Sequence, residues 1–255
     1  MNKLVLVVIP VLVVIIAYTS FTNSKVMNSI VNEGTEIVKK ENSLEELDIG
    51  KYKTVYIYKV LPFKSKVYNI DGIGIFTTMS LNLGIMQQLT FEITPYKKDL
   101  AQLTIDFTIL FRKRELRVEL YELMVNKEDT FYKNFKKKID EINDNYSALE
   151  DISVSKTWHF DYLSDSFVKK RGEPKDEEKL LKLFTEVIEA YMEYAKEVPT
   201  LSEADQKKKY DAIKEFSDLL VEKGGIAINN FKRSLGDEKT KEFLGMVLYG
   251  YLHIK

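Results

Sequence analysis

The chain reads as an α+β protein: an N-terminal transmembrane helix, an antiparallel β-meander of four to five strands, then three to four amphipathic helices. Three observations carry that expectation. An unbroken apolar run, Leu4 to Tyr18, stands behind a single Lys3. From Tyr52 apolar residues recur at every second position, and from Asp129 they recur at helical spacing. A sheet segment followed by a helical segment is the α+β order.

The apolar run places the rest. Leu4 to Phe21 are 18 residues, roughly 27 Å as a helix against a hydrocarbon core of roughly 30 Å. Leu4, Val8, Leu12, Ile15 and Ile16 are the expected anchor positions, and Pro10 is tolerated in such a helix. A cleaved signal peptide and a buried core helix are the competing readings. Ala17-Tyr18-Thr19 and Thr22-Asn23-Ser24 both lack the Ala-x-Ala character of a cleavage site, which favours an uncleaved anchor over residues 1–23. Lys3 and the terminal amine set the N-terminus inside. The expected location is therefore a single pass of the cytoplasmic membrane, with the C-terminal domain outside the cytoplasm.

Residues 24–50 read as a juxtamembrane amphipathic helix and linker. Val26, Ile30 and Ile37 form its apolar stripe, a face for its own domain or for a partner, and Gly34 lies near the middle. Ser43-Leu44-Glu45-Glu46 matches a capping box, which predicts a short helical turn. The domain proper is 51–255, strand-rich over 51–125 and helical over 126–255.

Within 51–125, strands are expected from Tyr52 to Val60, stopped by Pro62, and over 73–83, 89–93, 103–109 and 116–121. Their short connections exclude parallel crossovers, so the sheet is a meander. Asp71-Gly72 and Gly74 mark a turn, without the spacing of a nucleotide loop. Phe131, Phe135, Ile139, Ile142 and Tyr146 then mark one helix. Pro174 opens a long second one that Pro199 ends. Thr200-Leu201-Ser202-Glu203 caps a third, stopped at Gly224-Gly225, and a last helix starts near Asp237.

Composition narrows the chemistry. There is no cysteine, so disulfides, thiolate metal sites and thiol nucleophiles are excluded. A formal net charge of -1 gives no electrostatic reason to expect nucleic acid. One cluster, Trp158 to Ser166, gathers an imidazole, carboxylates and hydroxyls, so His159, Asp161 and Ser164 are the candidate catalytic residues. No G-x-S-x-G turn accompanies them, and two histidines are too few for a zinc site, so an aromatic structural segment is the stronger reading. No cofactor or metal is expected. The function that follows is a non-enzymatic, membrane-anchored envelope scaffold binding a protein partner or a second copy of itself. The alternative is a carrier or sensor of an apolar, lipid-like ligand held between the sheet and its helices; the third reading is an envelope hydrolase using His159.

Overall fold

The computed structural model describes residues 3–40, 42–153 and 157–254, without the side chains of residues 3–15 and Ile226. Among them are nine strands in one antiparallel sheet and six α-helices. The centre of the sheet is the expected meander, lengthened: β3 (Leu61–Ile70), β4 (Gly74–Asn82), β5 (Met86–Pro95), β6 (Gln102–Leu110) and β7 (Lys113–Tyr121). On one edge β1 (Leu44–Glu46) and β2 (Thr54–Ile57) both pair with β3. On the other, β9 (Val168–Gly172) pairs with β7, and β8 (Glu150–Asp151) pairs with β9.

The helices form two layers. α1 (Lys3–Lys39), α2 (Thr130–Asn145) and α3 (Glu177–Glu197) cover one face. α4 (Glu203–Lys223), α5 (Ile226–Leu235) and α6 (Asp237–Phe243) pack on the other, joined by a wide turn over Leu244–Leu248 in which the Tyr249 amide reaches back to the Leu244 carbonyl at 2.8 Å. Period-two alternation assigns the faces. Phe91, Ile105, Val118 and Val168 stand in one cross-strand row under α1 to α3. Their neighbours Thr90, Asp106, Arg117 and Lys169 form the next row, on the opposite side.

The expectation of a membrane-spanning anchor is corrected here. Among the described residues no helix is long and apolar enough to cross a membrane. The helix that begins in the apolar run continues unbroken to Lys39, and its second half belongs to the core. Ile30 and Val38 are fully buried, each burial contributing roughly 1.5–3 kcal/mol. Gly34 lets the helix axis approach, since a Cβ there would stand 2.8 Å from both Phe91 and Phe184. The Val26, Ile30 and Ile37 stripe thus lies on the protein's own sheet. Of the anchor positions, the side chains of Leu4, Val8, Leu12 and Ile15 lie outside the described residues, and Ile16 is half exposed.

Smaller corrections follow the same logic of tertiary context. Ser43 opens no helix; Leu44–Glu46 is an edge strand, because β3 offers it a free ladder. Pro62 stops nothing either, lying inside β3 opposite Tyr56 of the outermost strand, where a missing N–H is tolerated. α4 is capped by Ser202, whose Oγ accepts the Asp205 amide at 3.2 Å, two residues later than expected. Gly224, at φ +74°, ends that helix as predicted, but a further helix, α5, follows at once.

Candidate functional site

A sheet covered on both faces normally has apolar side chains on both. This one does not. On the face toward α4 to α6, β4 to β7 present Thr77, Thr90, Glu92, Thr94, Gln102, Thr104, Asp106 and Glu119. Five of these, Thr77, Thr90, Glu92, Thr94 and Gln102, are buried. Polar groups are costly to place there without partners, so the face is a site candidate before any ligand is considered.

Three carboxyls organise it. Glu92, on β5, accepts from Gln102 Nε2 at 3.0 Å and from Thr94 Oγ1 at 3.3 Å. Asp106, on β6, accepts from Thr90 Oγ1 at 2.6 Å. Glu119, on β7, accepts from Tyr121 Oη at 3.0 Å and from Lys169 Nζ at 2.6 Å. Burial drives the Glu92 carboxyl well above the ordinary carboxylate range, and the charge of Asp106 adds to that. Burial likewise pushes Asp106 up to about 6; the Thr90 hydrogen bond opposes the shift and Glu119 adds to it. Tyr249, fully enclosed behind α6, is raised far above its ordinary value by burial, with Glu92 nearby. The face therefore carries carboxyls raised by burial beside half-buried openings at Thr104, Asp106 and Thr108.

One flank of this face is aromatic. Tyr121 and Phe216 of α4 lie with ring centroids 5.1 Å apart, and Trp158 and Tyr162 contact Phe216 at 5.9 and 5.0 Å. Beyond Glu119, where β9 parts from β7, a cavity of about 750 Å³ opens, lined in part by Glu119, Lys169, Phe160, Phe167 and Ser164. Lys169 lies over both phenylalanine rings, at 5.6 and 5.3 Å. No group of His, Asp or Glu suited to a metal ion occurs among the described residues.

The residues expected from sequence flank the face without forming a catalytic set. His159 is half-buried, its ring 6.4 Å from Tyr121 and within 2.9 Å of the Thr157 hydroxyl. Burial lowers its pKa, opposed by Glu119. Asp161 is exposed, and Ser164 is buried with its Oγ accepting the Ser166 amide at 3.1 Å. Among the described residues no hydrogen bond joins any two of the three. Glu92, Asp106 and Glu119 were missed because a polar residue at every second position of a strand reads as a wet face. The signal that would have pointed to them is Asp106 in the middle of a strand otherwise made of Thr and large apolar residues.

No family model matches the chain, and no curated protein does. The fold, however, is similar to that of a solved enzyme. A phytochromobilin synthase from tomato, determined in complex with biliverdin, matches with a TM-score of 0.72 over 89% of this chain and 84% of that one, at 14% identity. At that identity the likeness is one of fold. It still corrects the expectation of a membrane-anchored, non-enzymatic envelope scaffold, because this architecture is shared with a ligand-carrying synthase and the chain's surplus of buried polar chemistry lies on one sheet face. The alternative expectation, a carrier or sensor of an apolar, lipid-like ligand, is better backed by that likeness than the scaffold is, although the face found here is polar.

Proposed function

We propose that the chain binds a linear tetrapyrrole, or a conjugated ligand of that shape, against the polar face of the sheet, and acts on it as an enzyme by proton transfer from Asp106. The observation that carries this reading is a buried carboxyl, Glu92, beside a half-buried one, Asp106, both with raised pKa values, on a sheet face roofed by helices. The likeness to a synthase solved with biliverdin supports the ligand class. Such a ligand presents pyrrole nitrogens and terminal carbonyls along one edge. A carboxyl that changes charge near neutral pH, as Asp106 does, can give those atoms a proton or accept a hydrogen bond from them. Asp106, titrating at about 6, is the better acid for repeated transfer. Glu92, raised by burial on the neighbouring strand, is held in place by Gln102 and Thr94.

Reducing a conjugated double bond takes up electrons and protons in equal number. The chain supplies the protons, and the electrons come from an external reductant. Tyr121 and Trp158, half-buried and packed on Phe216, supply flat apolar surface for the rings.

The test is titration of the protein with biliverdin, followed by visible absorption. A saturable band shift at micromolar ligand is expected. In Asp106→Asn the ligand should still bind, while the pH-dependent part of the shift disappears and reductive turnover drops by about 10²–10⁴. A spectrum unchanged by the protein at any pH would end the proposal.

A further inference from the structure

On the other side of the molecule, the apolar interface between α1 and the sheet is interrupted. Lys66 and Lys64 of β3 point to the α1 side, paired in register with Thr78 and Ser80 of β4. α1 answers them with Asn28, Asn32 and Thr35, spaced along one helix stripe and lining the same groove of about 570 Å³. That size suits a small organic ligand.

Charge points to the sign of the occupant. From Gly50 to Lys66 the chain carries five lysines and no acidic residue. Lys64 and Lys66 have no ion-pair partner among the described residues, whereas Lys53, at the rim, pairs with Asp48 at 3.1 Å. Two residues apart on one strand face, these ammonium groups start from Cα atoms roughly 7 Å apart and repel each other unless an anion lies between them. The acids at the groove are Glu36, paired with Lys39 at 3.7 Å, and Glu46.

We infer that this groove is a binding site for a phosphorylated small molecule. The phosphate lies between Lys64 and Lys66, with the Asn28 and Asn32 amides as further donors, and the organic part rests on Tyr68 and Leu89. Lysine suits this role as a point charge toward a tetrahedral dianion. The site is separate from the polar face beneath α4 to α6, so either proposal can fail without the other.

Ribose 5-phosphate titrated into the whole protein, by calorimetry and by chemical-shift changes, is the probe, with ribose as the uncharged control. Saturable binding at millimolar concentration or below is expected for the phosphate and none for ribose. The double variant Lys64→Ala/Lys66→Ala, whose substituted side chains are exposed, should keep its melting temperature and lose at least about tenfold in affinity. Lys59→Ala, at the neighbouring hairpin tip, should change nothing. Absence of saturation, an undiminished affinity in the double variant, or an equal loss in Lys59→Ala would each overturn the site.

Discussion

At the scale of single residues, Asp106 is where stability and chemistry conflict. Its carboxyl titrates at about 6 in the folded chain and near 3.9 in the unfolded one. Between those values the folded state binds more protons, so stability falls as pH rises through that window and the whole penalty is present above pH 6. A difference of about 2 units corresponds to about 3 kcal/mol as an upper figure. Asp106→Asn keeps an acceptor for the Thr90 hydroxyl and removes the charge. The variant should therefore melt higher than the parent at pH 8, and the gap should close by about pH 4. Melting curves across that range check it; a gap that stays constant with pH would mean that Asp106 is not the titrating group.

At the scale of elements, the attachment of α1 decides how its apolar beginning is to be understood. Besides Ile30 and Val38, α1 is tied to the sheet by a buried guanidinium. Arg114 of β7, 3% exposed, donates to Asn23 of α1 at 2.9 Å, to Glu177 of α3 at 2.7 Å and to the Phe111 carbonyl at 2.7 Å. Arg114→Ala strands a partly buried carboxylate and a buried amide, which costs about 3–5 kcal/mol. Urea denaturation should show that loss in the midpoint with an unchanged slope. If the midpoint barely moves, α1 is not seated by this contact. Elements of this kind explain what sequence could and could not show. Leu103, Ile105, Phe107 and Ile109 alternate over a whole strand, and Leu180 to Val198 keep helical spacing over five turns, so β6 and α3 are legible. β1 and β8, three and two residues long, exist only because a neighbouring edge recruits them, and no local pattern marks them. The apolar run before Tyr18 has the composition of a membrane helix, and only the contacts of Met27, Ile30 and Gly34 further along show that the same helix is a layer of the fold.

At the scale of the whole molecule, two helical layers share one sheet, and the two sides have different tasks. The α1–α3 side is an apolar core built around Phe76, Phe91 and Phe184, stacked edge and face at 4.5 and 5.5 Å. The α4–α6 side holds the carboxyls and spreads its apolar contacts over several short helices. This asymmetry was hidden in the sequence, because Thr104, Asp106 and Thr108 look alike whether water, a helix or a ligand lies above them. It also fixes where a ligand's effect must be felt. A molecule bound to the folded chain alone at a hundred times its Kd adds about 2.7 kcal/mol, or roughly 5–10 °C in melting temperature for a chain of this size. The protection should be local as well as global. Amide exchange with biliverdin present should slow in β5 to β7, in α4 and in the turn over Leu244–Leu248, because these elements enclose the polar face. α1 and α2 should exchange as before, except through the rise in global stability. Slowing concentrated in α1 to α3 would put the ligand on the wrong side of the sheet, and Asp106 and Glu92 could not then reach it.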